Sequence, residues 1–283
     1  MALTILYDIA SDTGSLTGND GWAAGMPVSN LRTDDVQAVA RFLEIAEGPA
    51  RMVAAFNRPR PINAWALIGH TCSTQAQVRV GLASNSALTD PIYQADLPAW
   101  EPTVVFGSVP WGAAPFDGVD KDTFPGAPVI FHRAGTQFGG WGFIEVADPS
   151  NNDGYLDFGR LMIGQSWQPP GFDGHDYGSA IQVVDTSTVQ RTRGNRRIVG
   201  DQRIYRTWEI KLSYQTQATA LGVFHDLQMR LGKSGSMLII WDDEAAFSVR
   251  SRLTLYCALS GTSPITISDA DAWDVTLSVE ELT

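Results

Sequence analysis

Pro61-Ile62-Asn63-Ala64-Trp65-Ala66-Leu67-Ile68-Gly69-His70-Thr71-Cys72-Ser73, followed by Gln77-Val78-Arg79-Val80-Gly81-Leu82, is the stretch that decides the fold. Ala64 to Ile68 is apolar at every position, so both faces of the segment must be covered, which predicts a central strand between two layers. Val78, Val80 and Leu82 alternate with Gln77, Arg79 and Gly81. That period of two sets one row of side chains on a core and leaves the other in water. The same period recurs in Trp208, Ile210, Leu212 and Tyr214, in Leu253, Leu255, Cys257 and Leu259, and in Trp273, Val275, Leu277 and Val279 near the end of the sequence. A terminal strand is ordered only when paired, so the last of these is expected inside a sheet.

The sequence has 283 residues, room for two domains at roughly 100 to 200 residues each. Its 44% hydrophobic and 18% charged residues, with 27 Gly and 15 Pro, describe a folded, turn-rich β protein and exclude disorder. One helix is predicted after Thr216, where Leu221, Phe224, Leu227 and Leu231 recur at helical spacing and Gly232 stands as a C-terminal cap. Residues 34 to 55 fit neither period well and read as strands joined by the turn Glu47-Gly48-Pro49. Pro98 to Gly142 is dense in Pro, Gly, Trp and Phe and reads as long loops with aromatic anchors. Gln165-Ser166-Trp167-Gln168-Pro169-Pro170-Gly171 should break any element and mark a boundary. The expected architecture is therefore all-β: residues 1–165 as a jelly-roll-like β-sandwich and residues 176–283 as a β-barrel or sandwich with one helix.

The formal net charge is −11, which argues against a specific nucleic-acid partner. Arginines number 17 against three lysines, a bias that suits planar, multi-donor interface contacts and that genomic base composition also produces. Charge is unevenly placed: residues 85 to 160 hold ten acidic and three basic side chains, whereas 191 to 206 hold six Arg and one Asp. Opposite signs on two parts of one molecule suit head-to-tail contact between copies, so Arg191, Arg193, Arg196, Arg197 and Arg203 are candidate interface residues. Solvated loops would carry the same pattern. Cys72 and Cys257 lack the paired spacing of a zinc site, and Cys257 reads as a buried thiol. No basic region followed by an apolar stretch opens the sequence, and no run reaches the roughly 18 apolar residues of a membrane span. A cytosolic product, or one that leaves inside a particle, is expected, with no membrane partner.

Residues 61 to 73 with the strand Val78-Arg79-Val80 resemble the central hairpin of discoidin or galactose-binding-like jelly rolls. Trp141-Gly142-Phe143-Ile144-Glu145-Val146-Ala147-Asp148-Pro149 and Asn152-Asp153-Gly154-Tyr155-Leu156-Asp157-Phe158-Gly159-Arg160-Leu161 resemble that fold's closing strands. Similar phrases occur together in minor proteins of the phage tail tip, and Tyr205 to Tyr214, the helix and the terminal strand resemble their tube-like β domains. The resemblance implies a structural, non-enzymatic component of a tail tip or baseplate, made in the host cytoplasm and carried in the virion. It would assemble as a homo-oligomeric ring or collar, trimer or hexamer, linking the tail tube to hub or tip proteins without a cofactor.

His70 follows a strong strand, where loops present binding residues, and reads first as a hydrogen-bonded structural histidine. His132, His175 and His225 are scattered, so no metal site is expected. Asp148, Asn151, Asn152, Asp153 and Asp157 form an oxygen-rich loop that suits calcium or simple turn chemistry. No nucleophile elbow, phosphate loop, dinucleotide fingerprint or His-Glu-x-x-His occurs. Gly139-Gly140-Trp141-Gly142 should open a strand and hence bind no phosphate, and Asp242-Asp243-Glu244 should form a solvated turn. No catalytic residue is expected. Trp100, Phe106, Trp111, Phe116, Phe131, Phe138 and Trp141 anchor loops, fill an interface or bind a sugar face. His70, Trp111 and Trp141 are the candidate ligand residues, and a module recognising carbohydrate on a host cell surface is the alternative function.

Overall fold

A computed structural model describes residues 2–102, 110, 118–119, 127–169, 176–191, 193, 195–200, 202–269 and 271–282. The strands are β1 (Thr4–Ile9), β2 (Ser15–Gly18), β3 (Ala40–Phe42), β4 (Ala50–Ile68), β5 (Gln77–Ala83), β6 (Pro91–Pro98), β7 (Val129–Ala147), β8 (Leu156–Phe158), β9 (Arg160–Trp167), β10 (Ala180–Asp185), β11 (Thr188–Arg191), β12 (Arg197–Gly200), β13 (Ile204–Gln215), β14 (Ser236–Ile240), β15 (Thr254–Leu259), β16 (Ile265–Asp269) and β17 (Ala272–Glu281). Contacts group into two units, one of Met1–Phe172 with Leu238–Leu255, the other of Asp173–Met237 with Tyr256–Leu282.

Two long strands build the first unit. β4 and β7, of 19 residues each, pair antiparallel from Ala50↔Val146 to Ile68↔Val129, with register shifts between Ala55 and Arg60 and between Ile62 and Ala64. Such irregularities bend a strand and let it pass from one sheet layer to the next. On one side of the bend β2 pairs with β4, and β7 is followed by β5 and β6. On the other, β4 pairs with β9, β9 with β1, and β1 with residues 238–240. Trp65 of the second layer donates its Nε1–H to the Gly81 carbonyl of β5 at 3.0 Å and stacks on Tyr93 of β6 with ring centroids 5.3 Å apart. The two layers thus face each other across one core, in which Met52, Leu67, Val78, Val80, Ile144 and Ile163 are buried. This is a jelly-roll-like β-sandwich.

Arg160 lies in this core at 1% exposure, bidentate to Asp12 at 2.8 and 2.6 Å, 3.5 Å from Asp34 and bonded to the Leu31 carbonyl. A charge taken that far from water persists only with such partners.

Several expectations are corrected. Residues 129 to 142 are strand, not loop, and Gly139 to Gly142 lie in the middle of β7 rather than at its start. Gly139 and Gly142 are there because a Cβ would run into Leu82 at one and into Ile163 and Phe56 at the other. Close packing of neighbours, not a turn, is the reason for the glycines. Gln165 to Trp167 continue β9 instead of breaking it. Leu253 to Leu259 was expected to bury one face, yet every residue of β15 is buried. Asp242 to Glu244 form the expected turn, with Glu244 exposed and donating its N–H to Asp242 Oδ1, but Asp243 is not solvated in it: its side chain is 8% exposed and its Oδ2 accepts from Thr4, Arg133 and Gln168. The turn before Pro49 is present, with Glu47 donating its N–H to the Glu44 carbonyl.

In the second unit β13 pairs with β10 and β17, and β17 with β15 and β16. Trp208, Ile210 and Leu212 are buried with Val275, Leu277 and Val279, as their alternation predicts. Tyr214 departs from it, 81% exposed, because the register shifts between Leu212 and Gln215 and Tyr214 sits at φ +56°. The predicted helix runs from Gln217 to Leu231, capped by the Thr216 hydroxyl, which accepts from the Thr219 N–H, and ended by Gly232 at φ +53°. Its middle, Ala220–His225, is a π turn. Ala220, Phe224 and Leu227 form the buried stripe, while Leu221, expected in it, is 38% exposed. No helix among the described residues is long and apolar enough to cross a membrane.

Candidate functional site

A concavity of the first unit begins where β4 ends. Gly69 adopts φ +69° and donates its N–H to the Pro128 carbonyl, which turns the chain so that His70 points inward. His70 is 4% exposed and meets the Trp100 ring edge-on, centroids 5.1 Å apart. Trp100, just after β6, donates its Nε1–H to the Cys72 carbonyl at 3.0 Å and packs against Phe247. Phe247–Arg250 is a single helical turn that brings Arg250 into an ion pair with Glu101. The Arg250 guanidinium also lies 5.6 Å from the centre of the Phe247 ring.

The resulting groove holds about 630 Å³ of empty space, solvent at its mouth included, but only about 30 Å³ in which the centre of a water molecule fits. That is room for a water or two, so a larger ligand must lie across the mouth. Apolar backing comes from Leu97, Ile130, Ile240 and Phe247, and polar groups from His70, Glu101, Arg250, Ser251 and Thr254. Thr254 Oγ1 donates to the Arg250 carbonyl at 2.8 Å, which fixes that turn. Glu101 is the one carboxylate among the described lining residues. Hydrolysis of a glycosidic bond ordinarily needs two, and this groove does not bring a second.

Of the sequence candidates, His70 lines the groove. Trp141 does not: it is half-buried in β7, paired with Ala55 on one side and Ala83 on the other. Trp111, with Phe106 and Phe116, lies outside the described residues. Arg191, Arg193, Arg196, Arg197 and Arg203 sit in the second unit, all exposed. Arg206, counted with them by sequence, is instead bound in a bidentate pair with Glu281. Glu101 and Arg250 carried no local signal, being 149 positions apart.

The oxygen-rich loop is occupied by its own chain. Asp148 accepts from the N–H and hydroxyl of Ser73 at 2.7 and 2.5 Å and from Asn151, while Asp157 is bidentate to Arg41 at 2.7 and 2.8 Å. Asp157 in turn holds the Arg41 pKa above its usual value, and the guanidinium stacks 3.9 Å over Tyr155. No group of acidic, His or Cys residues with metal-binding proximity occurs among the described residues. A second polar pair lies beside Trp65: the Tyr93 hydroxyl is 2.7 Å from His132 Nε2. Burial lowers the pKa of His132 and raises that of Tyr93. Burial also raises that of Cys257 well above the ordinary thiol value, which leaves it an inert thiol.

No protein-family model matches the chain, and no curated protein matches it. Among solved structures it is similar to the lectin domain of lectinolysin complexed with Lewis B antigen, with 8% identity, TM-score 0.37, and 54% of this chain and 94% of that one covered. A Streptococcus pneumoniae fucose binding module is similar at 6% identity and TM-score 0.37, covering 56% and 95%. The protein CpGH89CBM32-4 from Clostridium perfringens is similar at 8% identity and TM-score 0.36, covering 56% and 100%. At these identities and scores the likeness does not bear on what this chain binds.

Proposed function

We propose that the chain is a non-catalytic binding protein whose first unit takes a saccharide across the groove above His70 and Trp100. The observation that carries this reading is the Glu101–Arg250 pair set at the mouth of a groove with apolar backing. Sugars present hydroxyls that donate to a carboxylate and accept from a guanidinium, together with a C–H face that apolar side chains cover. A single carboxylate already held by an arginine suits recognition and gives no acid–base pair for a reaction.

The test is thermal unfolding of the full chain against a panel of mono- and oligosaccharides. A ligand that binds only the folded state stabilises it by about 2.7 kcal/mol at a hundredfold excess over Kd. For a chain of this size that raises Tm by roughly 5 °C. The rise should vanish in Glu101→Gln and Arg250→Met, whose own Tm should stay near that of the parent, since a half-buried pair that keeps contact with water contributes on the order of 1 kcal/mol. A panel without any rise, or a rise that both variants retain, sinks the reading. The second reading, a structural component of a phage tail tip assembling as a ring, is favoured by an exposed, arginine-bearing ribbon in the second unit, which self-assembly needs and saccharide binding does not.

A further inference from the structure

That ribbon is formed by β10 with the start of β13 and by the β11–β12 hairpin, joined where the Thr186 N–H and hydroxyl both donate to the Arg203 carbonyl. Its side chains can be followed outward from the core. Ile181 is opposite Trp208, Val183 opposite Arg206 and Asp185 opposite Ile204, so these six share one face of the sheet. Trp208 is 2% exposed and belongs to the core, yet on the same face Ile181 is 44%, Val183 62% and Ile204 61% exposed. Apolar side chains therefore continue on this face past the point where the unit's own core ends, with Arg206 and Asp185 set among them. Further out, Val189 and Val199 are a direct cross-strand pair, 52% and 42% exposed. A two-stranded ribbon without a packed face is marginal in water, and its β-branched residues have no covering layer among the described residues.

Charge says what covers it. Residues 180 to 204 hold five arginines and two aspartates, within a chain whose net charge is −11. The negative excess thus lies entirely outside the ribbon. A basic, partly apolar ribbon on an otherwise acidic molecule is complementary to the body of another molecule of the same kind.

We infer that the ribbon Ala180–Ile204 is a docking arm covered by a second copy of this chain, with Val183, Val189, Val199 and Ile204 in the contact and Arg191, Arg193, Arg196 and Arg197 facing the partner's acidic surface. Such a contact is heterologous, one surface meeting a different one, and it closes into a ring or runs on as a filament. Screening weakens its charged part as salt rises.

Sedimentation of the full chain at rising concentration and salt tests this. The wild type should form dimers or larger species whose share falls with salt. The triple variant Arg191→Glu, Arg196→Glu, Arg197→Glu and the double variant Val183→Asp, Ile204→Asp should both sediment as monomers, with unchanged circular dichroism and the Tm that the wild type shows at concentrations where it is monomeric. A wild type that is monomeric at every concentration and salt overturns the inference. So does a triple variant that associates as the wild type does. Monomeric wild type that binds duplex DNA or anionic vesicles, with the triple variant failing to do so, assigns the ribbon to another polyanion and equally overturns it. Saccharide titration of the same variants keeps the two proposals apart, because neither set of substitutions touches the groove.

Discussion

The two units bury their strands to different degrees, and the contrast separates what stabilises this chain from what its surface is for. In the first, β4 is buried at nearly every position from Ile62 to Ile68, paired with β7 and β9 in its sheet and facing the core with Ile62, Trp65 and Leu67. In the second, β10 is exposed or half-exposed along its whole length although it carries Ile181, Val183 and Val184. Similar β-branched chemistry therefore has two fates. One is decided within the chain, and the other is left in contact with water in the single chain.

The largest effect that could break this contrast is at Trp65, which is fully buried, bonded to the Gly81 carbonyl and stacked on Tyr93. Trp65→Ala should cost about 3–5 kcal/mol, measured as a fall in urea midpoint at constant slope. A loss below that range would mean that the two layers of the sandwich do not share one core. Arg160→Ala should follow at about 3 kcal/mol, the lower end for breaking a buried ion pair, because Asp12 and Asp34 keep access to water at 35% and 47% exposure. Replacement by Met, which fills the same volume without a charge, should recover part of that loss.

A smaller effect is expected from pH. The pKa of His132 is lowered in the fold by burial, below its ordinary 6.5. The unfolded chain then binds more protons between the two values, so stability gained from the neutral imidazole is fully present above 6.5 and is lost as pH falls through the folded pKa. His132→Asn should flatten that part of the pH–stability curve. An unchanged slope would place the titration on another group.

How far the sequence could be read follows the same division. Ala64 to Ile68, Val78 to Leu82, Trp208 to Leu212 and the helix with its Thr216 and Gly232 caps were legible because each carries its own local signal of period or cap. β7 was legible only from its glycines onward: Val129 to Phe138 reads as loop, and the glycines at 139 and 142, which admit Leu82, Ile163 and Phe56 from distant parts of the sequence, look like the opening of a strand. Tyr214 was misread because a bulge reverses the alternation without changing the residues on either side. Of the groove, His70 could be found from its place after a strong strand. Glu101 and Arg250 could not, since nothing near either residue in the sequence indicates the other. The arginines of the ribbon were visible as composition, but their being exposed beside an overhanging apolar face was not.

The smallest effect is the most discriminating. Val183→Thr and Ile204→Thr keep or nearly keep the β-branched shape and put a hydroxyl where the side chain is already 62% or 61% exposed. In the monomer they should change stability by no more than about 0.5 kcal/mol, as surface substitutions do. Val80→Thr, the same chemistry at a position with 0% exposure, buries a hydroxyl and should cost about 1–3 kcal/mol. The comparison must be made by urea unfolding at concentrations where sedimentation shows only monomer, since association would add its own stabilisation to the folded state. Near-neutral values at 183 and 204 beside a clear loss at 80 mean that the ribbon's apolar residues do nothing for the fold of the single chain. A loss at 183 matching that at 80 would mean that the chain covers its own ribbon, and the difference between the two units would disappear.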